Sequence, residues 1–185
     1  MTGSVEQLKH EYQIEIRWRA FPLHPETPDE GILLEELFKT GSDQIDRMVT
    51  QLRLTANQLG LPFGNRTKTY NSRLAQELGL WAEKNGRGEE FHLAAFKAYF
   101  ADGRNLAKQH VLLDLAKSCN LPIEEASEVL RTRSYATAVD EDWEASRQQQ
   151  ITAVPTFTFG STLLVGAQAY SNLQGLMLQH GVLRR

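Results

Sequence analysis

Cysteine is almost absent from this sequence, since Cys119 is the only one among 185 residues. A single cysteine excludes both an internal disulfide and a Cys-x-x-Cys redox motif within the chain as given. Long apolar runs are missing too, because no stretch approaches the roughly 20 apolar residues of a membrane-spanning helix. The first residues, MTGSVEQLKHEYQ, also lack the apolar segment of a signal peptide. We therefore expect a cytoplasmic protein without a membrane partner.

The chain carries no excess of positive charge, with 20 Lys and Arg against 23 Asp and Glu and a formal net charge of −3. Because nucleic acids attract basic surfaces, we expect no nucleic-acid partner. No His-x-x-x-His pair, Cys-His set or Gly-rich phosphate loop occurs, so we expect neither a metal nor a cofactor. The acidic pairs and triplets, Glu89–Glu90 and Asp140–Asp142, are predicted to be solvated helix faces rather than acid/base pairs.

What the sequence does contain is a helical majority framed by short strand patterns. Residues 4–12 are predicted to form a helix, and residues 13–18, QIEIRW, alternate apolar and polar side chains as a half-buried strand does. Helical periodicity then recurs from Ile32 to about residue 150, and two strands and a last helix follow. This order indicates a strand-bearing part of the chain into which a helical block is inserted.

Start and stop signals divide the helical block. Ser42 is predicted to cap the helix that follows it, Gly60 to end that helix, and Pro122 to stand at the entrance of another. Cys119 lies in AKSCNLP near a predicted helix C-terminus, where the helix dipole disfavours a thiolate. We therefore interpret Cys119 as a structural, buried thiol.

A proline interrupts the strand pattern of residues 151–166, ITAVPTFTFGSTLLVG. Apolar and β-branched residues dominate both halves, and Gly-Ser-Thr divides them, so the segment is predicted to be a β-hairpin. Pro155 stands at the entrance of the first strand, directly after Val154. A proline at this position has no N–H to donate to a neighbouring strand.

Several segments together resemble the DsbA family, and within it the FrnE-like branch of dithiol-disulfide oxidoreductases and isomerases. The resemblance covers nearly the whole chain. It is carried by the order and spacing of WRAFPLHPETPDEG, FHLAAFKAYFADGRNLAKQHVLLDLA, ITAVPTFTF and LLVGAQAYSNLQGLM. It implies an α/β, thioredoxin-like fold with an inserted all-helical domain. Residues 1–28 and 148–185 would form the thioredoxin-like domain, and residues 29–147 the insertion.

The same resemblance implies that the fold is incomplete at the N-terminus. In the family, a strand and a Cys-x-x-Cys precede the segment that TGSVEQL resembles, so we expect no catalytic residue in this chain and no redox activity. We interpret Met1 as an internal methionine of a longer protein. Otherwise residues 13–18 would have to pair with residues 154–159, or a second copy would have to supply a strand, to cover the sheet edges left open.

The resemblance implies a substrate-binding loop at Val154, Pro155 and Thr156, with a cis peptide bond before Pro155. The expected partner is a thiol- or disulfide-bearing protein or a small thiol, and a homodimer is possible. One alternative is a glutathione-dependent isomerase, resembling 2-hydroxychromene-2-carboxylate isomerases and kappa-class glutathione transferases, although Ser4 lies about one turn too late to be their serine. A non-catalytic peptide-binding module is the other alternative.

Aromatic residues are concentrated in the helical block, and we interpret most of them as core. One or two of them are candidates to line a groove facing Pro155, because aromatic side chains dominate both core packing and binding surfaces. The set consists of Trp81, Phe91, Phe96, Tyr99 and Phe100.

Overall fold

The computed structural model describes residues 2–185, and for Thr2 the backbone alone. Helices predominate, and the strands are short. In chain order the elements are α1 (Thr2–Glu11), β1 (Ile32–Leu33), α2 (Leu34–Phe38), α3 (Ser42–Gln58), β2 (Lys68–Thr69), α4 (Arg73–Lys84), α5 (Gly88–Phe96), a π-helical turn (Lys97–Ala101), α6 (Gln109–Ser118), α7 (Ile123–Thr132), α8 (Ala136–Gln148), β3 (Thr156–Phe159), β4 (Thr162–Val165) and α9 (Tyr170–Gln179).

The chain divides into two compact units. The terminal unit contains the chain up to Leu23 together with Asp142–Arg185, and the helical unit is His24–Glu141. The boundaries predicted from the sequence, after residues 28 and 147, lie a few residues from these. The assignment of a thioredoxin-like domain and an insertion to those boundaries stays a prediction.

The helical unit is built around an apolar core that α4, α5, α6 and α7 share. Leu78, Phe91 and Leu112 are each fully buried in it, and the largest contribution to its stability is the apolar area removed from water. Cys119 is buried in the same core, as predicted. The expectation that Ser42 caps α3 is wrong, because Ser42 is the first residue of α3 and Gly41 holds the cap position.

A small antiparallel sheet replaces the start of one predicted helix. Ile32 pairs with Thr69 and Leu33 with Lys68, so helix α2 begins only at Leu34. Helical periodicity from Ile32 to Phe38 did not distinguish the two conformations, because short apolar runs fit a strand as well as a helix.

The terminal unit packs α1 against α9 and the β3–β4 hairpin. The hairpin is antiparallel, with Thr156 opposite Val165 and Phe159 opposite Thr162. Its inward side chains pack on the core that the two helices share. That core consists of Val5, Leu8, Tyr12, Leu173, Leu176 and Met177, with Phe157, Phe159 and Leu164 partly buried against it.

The predicted strand at residues 13–18 is absent. The predicted alternation is present, since Ile14 and Ile16 are half-buried against the core while Glu15 and Arg17 are exposed. A strand also needs a neighbouring backbone for its hydrogen bonds, and no ladder forms here; Gln13 N–H instead bonds to the Leu183 carbonyl at 2.9 Å. Pairing of residues 13–18 with residues 154–159 therefore does not occur in this chain.

Asp142 corrects the expectation that residues 140–142 form a solvated face. Its side chain is 3% exposed, accepts a hydrogen bond from Arg19 Nη1 at 2.5 Å and accepts another from the Ala20 N–H at 3.0 Å. Glu89 and Glu90 are exposed, as predicted. Among residues 2–185, no helix has the length and apolar character needed to cross a membrane.

Candidate functional site

The loop that leads into β3 begins where α8 ends. Gln150 adopts φ 55°, in the left-handed region that commonly follows a helix, and the Ile151 N–H bonds back to the Ser146 carbonyl at 2.9 Å. The chain then turns through Ala153 and Val154 to Pro155, and the Val154–Pro155 peptide bond is cis. The sequence-based expectation of a cis bond at this position is therefore confirmed.

Backbone contacts fix Pro155 to the hairpin. Its carbonyl accepts a hydrogen bond from the Gly166 N–H at 2.8 Å, which extends the β3–β4 ladder by one residue pair. Gly166 adopts φ 87°, where a side chain would be strained. Gln168 then holds the turn after β4, donating from Nε2 to the Val165 carbonyl at 2.8 Å and accepting from Asn172 Nδ2 at 2.9 Å.

Thr156 and Val154 differ in whether their polar groups already have hydrogen-bond partners. The Thr156 hydroxyl donates to the Ala153 carbonyl at 2.7 Å, so it closes the loop locally. Val154 is 45% exposed. Within residues 2–185, the main-chain N–H and C=O of Val154 have no hydrogen-bond partner.

The outer edge of β3 continues this row of unpaired backbone groups. In an antiparallel ladder, bonded and non-bonded residue pairs alternate, and Pro155 opposite Gly166 is a bonded pair. Thr156 and Thr158 therefore direct their N–H and C=O groups away from β4. Val154, Thr156 and Thr158 together offer main-chain donors and acceptors at the two-residue spacing of an extended peptide.

The titratable groups near this hairpin include His180, whose Nε2 shares a hydrogen bond of 3.0 Å with the Thr162 hydroxyl, and a pair that joins α1 to α9. The Tyr170 hydroxyl donates to Glu11 Oε2 at 2.5 Å. This hydrogen bond raises the pKa of Tyr170 to about 12, and the same bond, with one from Gln7, lowers the pKa of Glu11. In the described part of the chain, no group of three or more His, Cys, Asp or Glu residues is arranged to hold a metal ion.

The predicted aromatic set separates into two groups. Trp81 and Phe91 are buried core residues, whereas Phe96 is 44% exposed and Tyr99 and Phe100 are half-buried. The prediction that some of them face Pro155 stays a prediction.

Sequence reasoning missed the arginine that completes the second group. The Arg66 guanidinium lies over the Tyr99 and Phe100 rings, with its carbon 4.4 Å and 5.1 Å from the ring centroids. Arg66 lies in the loop between α3 and β2, which has no hydrophobic periodicity, so hydrophobic patterns gave no signal for it. The basic composition of that part of the chain was the signal available.

Each of three comparisons with known proteins found a match for this chain. The family model described as DSBA-like thioredoxin domain matches residues 1–177. The uncharacterized protein YwbO of Bacillus subtilis is 27% identical over 157 residues, which are 83% of this chain and 76% of that protein.

Solved structures of two other proteins superpose on this chain. A probable DsbA oxidoreductase from Streptomyces coelicolor superposes with a TM-score of 0.84 and 25% identity, covering 91% of this chain and 76% of that one. A 2-hydroxychromene-2-carboxylate isomerase superposes with a TM-score of 0.71 and 17% identity, covering 96% and 85%, a likeness that shows the fold alone.

Proposed function

The chain belongs to the DSBA-like thioredoxin domain family, and from this premise we propose that it binds a thiol- or disulfide-bearing protein, or a small thiol, at Val154, Pro155 and Thr156. The α/β, thioredoxin-like fold class with helical insertion is confirmed by the family and by the Streptomyces structure. The chain is a member of the DsbA-like oxidoreductase family.

One observation carries the proposal. The main-chain N–H and C=O of Val154, directly before the cis bond to Pro155, have no hydrogen-bond partner within residues 2–185, and the Val154 side chain is 45% exposed. An extended peptide that adds to a strand edge gains main-chain hydrogen bonds regardless of its sequence. Such a surface suits a protein that accepts many unfolded or extended substrates.

Binding without thiol exchange is the expected behaviour of this chain. Exchange requires an accessible thiolate that attacks a disulfide and a second thiol that resolves the mixed disulfide. Cys119 is 6% exposed in the core of the helical unit, so it is not an accessible thiolate, and as the only cysteine of this sequence it has no second thiol beside it. We therefore expect no turnover of insulin disulfides above background by this chain, and no change when Cys119 is replaced by serine.

The loop is tested by the affinity for a fluorescein-labelled peptide with a central S-carbamidomethyl cysteine, followed by anisotropy. Val154→Asp places a charge on the exposed loop side chain and is expected to weaken binding at least tenfold. Leu163→Asp is the matched control, because Leu163 is an apolar residue of the same hairpin with 41% exposure. Equal losses in both variants, or no binding by the unaltered protein, would refute the assignment of the loop.

The glutathione-dependent isomerase alternative is separated by a second titration. Binding of S-methylglutathione without binding of the peptide would favour that alternative, although Ser4 lies within α1 rather than at a loop facing a substrate. Peptide binding without insulin reduction is also what the non-catalytic module predicts. The cytoplasmic location and the possible homodimer belong to this proposal and are checked by cell fractionation and by the mass in solution.

A further inference from the structure

A stretch of the helical unit stands out by its charge. Residues 47–76 contain no Asp or Glu, although the whole chain has a net charge of −3. The same stretch carries five basic side chains. They are Arg47, Arg53, Arg66, Lys68 and Arg73.

Arg66 differs from the other arginines of this stretch in its surroundings. Its guanidinium lies on the Tyr99 and Phe100 rings, and its Nη2 donates a hydrogen bond to the Tyr99 hydroxyl at 2.7 Å. Arg73, by contrast, is paired with Glu77 and Asp140. Across residues 2–185, no carboxylate lies within ion-pair distance of Arg66, and four of its five N–H groups have no hydrogen-bond partner.

The surrounding structure holds this arginine in place. Buried Thr69 shares a hydrogen bond of 2.7 Å with the Tyr99 hydroxyl, which fixes the ring on which Arg66 rests. The Gly64 N–H donates a hydrogen bond of 2.8 Å to the Phe100 carbonyl, and this bond holds the segment before Arg66 against Phe100. Phe100 lies in the π-helical turn, and such turns are frequent at functional sites.

The ligand class follows from the two kinds of surface that meet here. A guanidinium fork matches the two oxygens of a carboxylate, and a single arginine balances a single negative charge. Beside the guanidinium, the Phe63 ring stacks on Phe100 with the ring centroids 6.0 Å apart. The exposed ring of Phe96 has its centroid 6.3 Å from that of Phe100, so the surface next to Arg66 is aromatic. A ligand that is only an anion would leave this flank uncovered.

We infer that Arg66, held on the Tyr99 and Phe100 rings, binds a carboxylate joined to an aromatic or other apolar group, as in an aryl carboxylate or an apolar peptide C-terminus. This site lies wholly within the helical unit, so it does not depend on the function proposed for the Val154 loop.

The test is a calorimetric titration of the unaltered protein with 2-naphthoate and with its neutral analogue 2-naphthamide. We expect the acid to bind at least tenfold more tightly, because charge-assisted hydrogen bonds are roughly twice as strong as neutral ones. Equal affinities would overturn the inference, as would displacement of naphthoate by inorganic phosphate at lower concentration than by benzoate.

Two variants test whether the affinity for naphthoate depends on Arg66. Arg66→Gln is expected to weaken naphthoate binding at least tenfold, whereas Arg53→Gln, which removes an exposed arginine of the same acid-free stretch, is expected to change it less than twofold. Equal losses would point to general charge attraction and overturn the inference. If Arg66→Gln does not fold, as judged by circular dichroism, the comparison of acid and amide on the unaltered protein decides alone.

The source of the carboxylate is distinguished by two peptides that end in phenylalanine, one as the free acid and one as the C-terminal amide. Preference for the free-acid peptide over both the amide and naphthoate assigns the site to protein C-termini. Preference for naphthoate over the free-acid peptide assigns it to small aryl carboxylates. Either result supports the shared chemistry, and binding of neither acid refutes it.

Discussion

Glu77 is buried in the helical unit and carries a charge, so its removal is the most informative test of how that unit is stabilised. The side chain is 1% exposed. Arg73 Nε donates to Oε1 at 2.7 Å, and Arg133 donates from Nε to Oε2 and from Nη2 to Oε1, each at 2.7 Å. The carboxylate thus joins α4 to the residue that ends α7.

The expected cost follows from these three charge-assisted bonds. Breaking a buried ion pair by removing one partner costs about 3–5 kcal/mol. Arg133 is 46% exposed and returns partly to water, so we expect about 3 kcal/mol for Glu77→Ala, at the lower end of that range. Glu77→Gln keeps the shape but sets an amide N–H₂ against arginine donors, and we expect about 2 kcal/mol.

The contribution of Glu77 to the stability of the folded protein depends on pH, and the sign of this dependence follows from its pKa. Burial raises the pKa of Glu77, but the hydrogen bonds from Arg133 and Arg73 outweigh it, and the net pKa is lowered. A carboxyl whose folded pKa is depressed contributes stability above its unfolded pKa and loses that contribution as the pH falls through the folded pKa. The difference in stability between the native protein and Glu77→Gln should therefore narrow as the pH falls below about 4, near the pKa of an unfolded glutamate.

Urea denaturation followed by far-UV circular dichroism measures the effect. With a slope of about 2 kcal/mol per molar urea, a loss of about 2 kcal/mol moves the midpoint down by about 1 M. Glu90→Gln is the matched control, because Glu90 forms an exposed pair with Arg87 and its loss should leave the midpoint unchanged. A midpoint of Glu77→Gln equal to that of the native protein at pH 7, or a difference that widens in acid, would refute the reasoning.

Three further outcomes are expected. Asp142→Asn weakens the buried bond to Arg19 and should cost about 2 kcal/mol in urea denaturation of the terminal unit, and an unchanged midpoint would contradict the burial. Gly64→Ala places a Cβ 2.2 Å from the Ala101 carbonyl oxygen, so we expect a loss of about 2 kcal/mol and a lower Tm; an unshifted Tm would show that this loop moves freely. In a titration of tyrosine absorbance at alkaline pH, one phenol should ionise near pH 12 and disappear in Tyr170→Phe; a variant that retains this step refutes the assignment.

Local patterns predicted most of the helices correctly. Helical periodicity placed α3 to α9, and Gly60 and Pro122 marked the boundaries expected of them, with Gly60 at φ 67° and Pro122 at the N-cap of α7. These features depend on neighbours within a few residues, and a sequence displays such neighbours directly. The same is true of the β3–β4 hairpin, whose strands are adjacent in the chain.

Features that join distant residues were not visible in the sequence. The alternation of residues 13–18 predicted which side chains turn inward, and Ile14 and Ile16 do so, but alternation does not supply the partner that a strand requires. Asp142 looked like one of three solvated acids until folding placed Arg19 beside it. The two contacts that decided these features, Gln13 with Leu183 and Arg19 with Asp142, each join residues more than a hundred positions apart in the chain.

The sequence by itself determined the helices, the hairpin and, through ordered motifs, the resemblance to a family that the comparisons confirm. Only the tertiary structure decided that Val154, Thr156 and Thr158 present a continuous row of unpaired main-chain groups, and that Arg66 rests on two rings contributed by a π-helical turn. The physical reason is that composition and periodicity report which surfaces a segment buries. Hydrogen-bond partners and charge neighbours depend on which segments fold against each other.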